Sequence, residues 1–154
     1  MVNAIKLIIC SFGASAGFGI VFRIQKKYLL YAGLGGALTR CVYLILLTFI
    51  SESFIYSFLA AMAAALYAEF MAVRAKTPST VFLYPSIIPL IPGDLLYYSI
   101  VGLILQDTER ISQNAVKCVH SLLGLGIGFV IVSMVMYYRR HLKLHKKRQA
   151  QGSV

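Results

Sequence analysis

Charged residues are scarce in this sequence, and acidic ones are scarcest. Only 13% of the 154 residues are charged, with 15 Lys and Arg against five Asp and Glu, whereas soluble domains are about a quarter charged. Hydrophobic residues make up 59% of the chain and mean hydropathy is +0.78, enough apolar sequence for four to five membrane spans of ~20 residues each. This composition excludes a soluble enzyme, a secreted disulfide scaffold and a disordered chain. The net charge of +10 lies in short runs between apolar stretches, which favours a membrane protein over a nucleic-acid partner.

Catalytic and metal-binding patterns are also missing. The three cysteines, Cys10, Cys41 and Cys118, lie in apolar stretches without C-x-x-C spacing, so we interpret them as small packing residues. The three histidines form no ligand set. The sequence contains no nucleophile–base pair, no glycine-rich phosphate loop and no H-x-x-E-H pattern. We therefore expect no metal, no cofactor and no enzymatic activity.

Five apolar runs dominate the sequence instead. They are Val2–Phe22, Tyr28–Ile50, Phe54–Val73, a proline-interrupted run Ser79–Leu105, and Ala115–Tyr138. Only helices and closed barrels satisfy the backbone in lipid, and the period-2 alternation of barrel strands is absent. The first run continues past its small residues and three cations follow it, which indicates an uncleaved span rather than a signal peptide. We predict an all-α membrane domain of five transmembrane helices over residues 1–138, followed by a basic cytoplasmic tail over residues 139–154.

The positive charges predict the orientation of these helices. Cytoplasmic loops of membrane proteins carry an excess of Lys and Arg. Eleven of the fifteen cations fall in the first loop, the third loop and the tail: Arg23, Lys26, Lys27, Arg74, Lys76, Arg139, Arg140, Lys143, Lys146, Lys147 and Arg148. The N-terminus is therefore expected outside and the C-terminus in the cytoplasm, where the basic tail would contact anionic lipid.

The fourth apolar run is broken by Pro85, Pro89 and Pro92-Gly93. Each proline lacks an N–H and clashes with the carbonyl four residues earlier, while glycine permits a positive φ and a sharp turn. Asp94–Leu105 alone forms only about 18 Å of helix against a hydrocarbon core of ~30 Å, so the proline-rich part must also lie at membrane depth. Loop parity then requires a single broken crossing. Such breaks line polar cavities in transporters, although a merely kinked structural helix is the alternative.

Ionisable residues are expected inside three of the spans, where charge is costly and usually functional. Asp94 has three open interpretations: a helix N-cap, a proton carrier, or a counter-ion for a substrate ammonium. Glu69 either pairs with a snorkelling Arg40 or is a solvated interfacial charge. The predicted substrate or ion path comprises Pro85, Pro89, Pro92, Gly93, Asp94 and Arg40, with Tyr84, Tyr97 and Tyr98 as polar walls.

Small residues recur at helix-packing spacing in three spans. They are Gly13 and Gly17 in the first, Ala60, Ala64 and Ala68 in the third, and Gly124 and Gly128 in the fifth. Such residues let helix backbones approach closely in lipid. They predict tight packing, either within the chain or with a partner.

One stretch carries a family resemblance. Arg74-x-Lys76-x-Pro78, then Pro85-Ser-Ile-Ile-Pro89-Leu-Ile-Pro92-Gly93 with Tyr97 four residues later, resembles the threonine/serine exporter family. The match is closest to its small membrane subunit, which corresponds to the C-terminal half of the fused exporters. It extends over most of the chain, although Asp94 stands where a small or apolar residue is expected.

The resemblance implies a function. It implies proton-coupled secondary export of small hydrophilic metabolites, either amino acids such as threonine and serine or dicarboxylates such as succinate. It also implies a multi-pass protein of the bacterial inner membrane that acts with a second, larger membrane subunit. A non-transporting scaffold or assembly subunit is the alternative.

Overall fold

The computed structural model describes the backbone of residues 2–151 and the side chains of residues 3–139 and of Leu142. Those residues form helices and turns, without a β-strand. The helices are α1 (Val2–Val21), α2 (Lys26–Phe49), α3 (Ser53–Ala75), α4 (Thr80–Ile87), α5 (Gly93–Leu105) and α6 (Thr108–Gln151), with a 3-10 turn at Ile88–Leu90 after α4. The all-α class predicted from the sequence is confirmed.

Four of these helices are long and apolar enough to cross a membrane by themselves. They are α1, α2, α3 and the Thr108–Arg139 part of α6, whereas α4 and α5 reach that length only as a pair, bent by 46° at their break. Counting this pair as one span gives the predicted five. Large apolar side chains such as Ile9, Phe49 and Ile104 are exposed on the outside of the bundle, as expected for helices that face lipid. The orientation of the chain in the membrane stays a prediction.

Helix α3 is the centre of the bundle, with α2 and α4 on one side and α6 on the other. Its alanine-rich face is fully buried. On α6, a Cβ atom at Gly124 would overlap the Phe54 carbonyl oxygen, and one at Gly128 would lie 2.7 Å from the Phe58 carbonyl oxygen. The glycine face predicted on α6 therefore packs against α3 within the chain, because glycine has no side chain to hold the backbones apart. The predicted alanine face of α3 is also buried within the chain, where Ala68 packs with Phe82 of α4.

Helix α2 carries a second set of glycines and uses it on two sides. A Cβ at Gly36 would overlap the hydroxyl of Ser15 on α1, and a Cβ at Gly35 would overlap the hydroxyl of Ser86 on α4. Ser15 and Ser86 are fully buried. Because Gly35 and Gly36 have no side chains, α1 and α4 approach α2 closely at these two positions. This close approach brings the broken segment against the middle of α2.

Helix α6 is longer than its predicted span. The sequence predicts a transmembrane helix that ends at Tyr138, but α6 continues without interruption to Gln151. At ~1.5 Å per residue, its 44 residues extend about 66 Å, roughly twice the hydrocarbon thickness. The side chains of the predicted tail beyond Arg139, apart from Leu142, lie outside the described residues.

Candidate functional site

The break between α4 and α5 lies later in the sequence than the first proline. Pro85 lies inside α4, which continues through it to Ile87. The 3-10 turn follows, then Ile91 is extended, and α5 starts at Gly93. No glycine in residues 2–151 has a positive φ, so the expected use of Gly93 in a left-handed turn is wrong. The prolines and the extended Ile91 make the bend.

The Pro89 carbonyl is released from helical hydrogen bonding by this geometry. In a continuous helix it would accept from the backbone N–H of residue 93, but that N–H donates to the Ile91 carbonyl at 2.8 Å. A released carbonyl at membrane depth needs another donor, because lipid supplies none. Arg40 of α2 provides it: its Nη1 donates to the Pro89 carbonyl oxygen at 3.1 Å.

Thr39 fixes the segment that precedes the break. Its hydroxyl oxygen lies 2.9 Å from the carbonyl oxygen of Ser86 and 3.0 Å from the carbonyl oxygens of Gly35 and Gly36. One hydroxyl hydrogen serves only one of these acceptors at a time, and the Ser86 carbonyl is the nearest. Thr39 is completely buried, so this bond joins α2 to α4 in a water-free environment.

Arg40 and Asp94 line the same two cavities beside the break. One cavity, of about 290 Å³, also includes Tyr43, Tyr56 and Pro92 in its wall. A larger one, of about 490 Å³, is open on one side and reaches the α1 residues Cys10 and Ala14, together with Pro89 and Gly93. The structure therefore brings together five of the predicted path residues: Arg40, Pro89, Pro92, Gly93 and Asp94.

Asp94 is the second residue of α5 and is exposed. The helix begins at Gly93 with Pro92 as its N-cap residue, two residues earlier than an Asp94 N-cap requires, and no side-chain hydrogen bond caps it. The capping interpretation is therefore excluded. Asp94 still lies in the first turn, where the helix dipole favours a carboxylate.

The predicted tyrosine walls lie elsewhere. Tyr84 lines a separate cavity of about 270 Å³ with Phe22 and Thr80, and the exposed Tyr97 and Tyr98 rings contact each other at a centroid distance of 5.4 Å. None of the three lines the Arg40–Asp94 cavities. Pro85 is buried in α4, away from both.

Tyr43 and Tyr56 are cavity residues that the sequence analysis missed. The Tyr43 ring centroid lies 5.2 Å from the Arg40 guanidinium carbon, and the Tyr43 and Tyr56 rings meet edge to face at 5.2 Å. A cation over an aromatic face is stabilised by the ring quadrupole. Tyr43 follows Arg40 by three residues, so helical periodicity would have placed the two on one face.

Two further points concern the charge of Glu69 and the side chains that could bind a metal ion. Glu69 is buried, with 8% of its surface exposed, so it is not a solvated interfacial charge. Among the residues that the structure describes, no group of three or more His, Cys, Asp and Glu side chains could hold a metal ion.

A helical membrane bundle with a broken helix and a charged cavity at the break has the architecture of a multi-pass transporter. Comparison with known protein families identifies the family of transporters. Residues 7–135 match the family described as "Threonine/Serine exporter, ThrE", which covers most of the 154-residue chain. The chain belongs to the threonine/serine exporter family, as its sequence resemblance indicates. No curated protein and no solved structure gives a significant match.

Membership has two direct consequences. The family is one of transporters, not of enzymes, and a transporter role of the threonine/serine exporter type follows for this chain. The chain is a multi-pass membrane protein, and the bacterial inner membrane is consistent with its family.

Proposed function

We propose that this chain is one subunit of a proton-coupled exporter of small hydrophilic metabolites, and that its substrate path passes the break between α4 and α5. The observation that carries the proposal is the position of Arg40 and Asp94, which face the same open cavity. A polar cavity is costly to maintain in a bundle that faces lipid, and a binding site is the usual reason for one. Threonine, serine and dicarboxylates such as succinate are the candidate substrates.

A second, larger membrane subunit completes the path in this proposal. Of the three small-residue faces, the glycine face of α6 packs against α3 and the alanine face of α3 is buried within the bundle, but a Cβ at Gly13 or Gly17 of α1 meets no atom within 4 Å. This open face adjoins the larger cavity, because Cys10 and Ala14 of α1 line it. A helix of the partner packed along α1 would therefore cover the small residues and close the open side of the cavity.

A scaffold role is the competing function, and one observation favours it. Thr39 and Arg40 hold the broken segment firmly through buried and half-buried hydrogen bonds, as a purely structural kink would require. In that case the break only shapes an interface. The two functions differ in what they require of Asp94, because no structural hydrogen bond or ion pair within the described residues depends on its carboxylate.

Metabolite efflux tests the proposal. Cells that lack both subunits and cells that express either or both are loaded with radiolabelled threonine, serine or succinate, and loss of label is followed. We expect efflux of at least one substrate only when both subunits are present. Absence of a difference for all three would contradict a transporter role.

Two variants separate the transporter from the scaffold. We expect Asp94→Asn and Pro92→Ala to reduce efflux while co-purification with the partner persists. Glu52→Gln, an acid-to-amide change in the exposed loop between α2 and α3, is the matched control and should preserve efflux. Intact efflux in both Asp94→Asn and Pro92→Ala would support the scaffold.

A further inference from the structure

Arg40 and Asp94 share two cavities but do not neutralise each other. No Arg40 nitrogen lies within 4.0 Å of an Asp94 oxygen, although both side chains line the cavities of about 290 and 490 Å³. By contrast, Asp107 and Arg110 pair at 3.7 Å on the exposed end of the bundle. Two opposite charges that face one space without touching leave room for a ligand that carries both.

The guanidinium of Arg40 keeps donors for a ligand. Nη1 donates to the Pro89 carbonyl, and Nε is buried without a hydrogen-bond partner among the described residues. The remaining nitrogen, Nη2, is not among the buried side-chain atoms and carries two N–H groups that can donate to a carboxylate.

The other end of the cavity suits a cation. Asp94 contributes a carboxylate, and the half-positive N-terminus of α5 is already matched by that charge. A second anion placed beside Asp94 would be repelled, whereas an ammonium would be attracted. The aromatic rings of Tyr43 and Tyr56 border the smaller of the two cavities.

We propose that Arg40 and Asp94 bind the two charged groups of one α-amino acid zwitterion. The Arg40 guanidinium donates hydrogen bonds from Nη2 to the α-carboxylate, and the Asp94 carboxylate accepts hydrogen bonds from the α-ammonium. This inference rests on the proposed function and narrows its substrate class: a dicarboxylate such as succinate would place its second carboxylate against Asp94. It also gives Arg40 a double role, since the same guanidinium holds the Pro89 carbonyl of the break.

Equilibrium binding tests the inference without requiring transport. The tagged chain is purified in mild detergent with the subunits that remain attached, and binding is measured by titration calorimetry. The probes are L-threonine, N-acetyl-L-threonine without the ammonium, L-threonine methyl ester without the carboxylate, and succinate. We expect threonine to bind at least about tenfold more tightly than each of the other three, because each lacks one charge match.

Substitutions assign the two ends of the site. We expect Asp94→Asn to weaken threonine binding about tenfold or more and to leave succinate binding unchanged or stronger, since the repulsion is gone. A loss of threonine binding without a loss of succinate binding cannot arise from misfolding. Arg40→Gln should weaken both ligands, and Arg40→Lys, which keeps the charge but not the planar edge, should recover part of the affinity. Glu52→Gln and Lys117→Gln, both exposed and outside the cavities, are matched controls.

The possible outcomes are distinct. Equal binding of all four probes, tightest binding of succinate, equal losses in Asp94→Asn for threonine and succinate, or no binding at all would each overturn the zwitterion site. Efflux that occurs without zwitterion preference would overturn this inference and leave the proposed function intact. Zwitterion binding with the expected variant pattern, but without efflux, would support the site and contradict the transporter role.

Discussion

Thr39 and Ser86, 47 residues apart in the sequence, are joined by a buried hydrogen bond of 2.9 Å between the threonine hydroxyl and the serine carbonyl. The next residue of α2, Arg40, bonds the Pro89 carbonyl three residues further along. Two consecutive residues of one helix thus hold the peptide groups on both sides of the start of the break. The bend of the α4–α5 pair is therefore fixed by α2 as well as by its prolines.

Thr39→Val removes the first of these bonds while it keeps the side-chain shape. We expect a loss of about 0.5–2 kcal/mol of stability, because the Ser86 carbonyl stays buried and loses its nearest donor outside its own helix. Thermal denaturation in detergent measures the change. The control is Thr48→Val, since the exposed Thr48 hydroxyl bonds only the Ile45 carbonyl of its own helix. Equal effects of the two variants would contradict a special role for Thr39.

Gly128→Ala tests the close packing of α3 against α6. The added Cβ would lie 2.7 Å from the Phe58 carbonyl oxygen and 2.9 Å from the Ala61 Cβ, and we expect overpacking to cost about 1–3 kcal/mol. Gly126→Ala, on the same helix with open space around the new Cβ, should be neutral or slightly stabilising. Equal decreases in melting temperature for Gly128→Ala and Gly126→Ala would refute this assignment of the packed face.

Gly17→Leu tests the proposed partner surface. Its side chain would project from the open face of α1, so we expect the melting temperature of the isolated chain to be unchanged and co-purification of the larger subunit to decrease. Ala64→Leu should give the opposite pattern, with loss of the folded chain itself, because Ala64 is completely buried between helices. Full recovery of the partner with Gly17→Leu would move the interface away from α1.

Gly93→Leu tests whether the larger cavity is used. A Cβ at Gly93 meets nothing within 4 Å, so the backbone tolerates a side chain, but that side chain would enter the cavity that Gly93 lines. We expect a normal melting temperature with at least about tenfold slower efflux. Gly126→Leu, also in open space, is the size-matched control. Unchanged efflux in Gly93→Leu would place the substrate path outside this cavity.

Proton coupling has its own test in vesicles that contain both subunits. Protons that move inward down their gradient can drive a substrate outward, so we expect an acidic exterior to accelerate efflux of preloaded substrate. A protonophore that dissipates the gradient should return the rate to its value at equal pH. Rates that do not respond to the gradient would contradict proton coupling.

The sequence predicted the spans well because lipid imposes a simple rule on them. A backbone without water must form helices, so hydrophobic length located the four helices that are long enough to cross a membrane and the bent pair α4–α5, and three prolines marked the break. The exact position of the break depends on tertiary packing. Pro85 stays inside α4, and Gly35 on α2 allows the Ser86 segment to approach closely. The local sequence around the prolines shows neither the continuation of α4 through Pro85 nor this contact with α2.

The candidate site was predicted only in part from the sequence. Charge at membrane depth singled out Arg40 and Asp94, since each is expensive there. The tyrosines were chosen by their nearness in sequence to the prolines, but α5 turns its own Tyr97 and Tyr98 outward. Tyr43 lies on another helix, and its place in the cavity depends on how α2 faces the break. Which small residues pack internally was likewise decided by helix rotation, not by spacing.

The unusual length of α6 has a mechanical consequence. About 35 Å of continuous helix separates Gly128, where α6 is wedged against α3, from its end at Gln151. A tilt of about 10° at the wedge would move that end by roughly 6 Å, so the helix is a lever arm that amplifies small changes of packing. A small rearrangement of α6 against α3 during a transport cycle would therefore produce a larger displacement at the Gln151 end of α6.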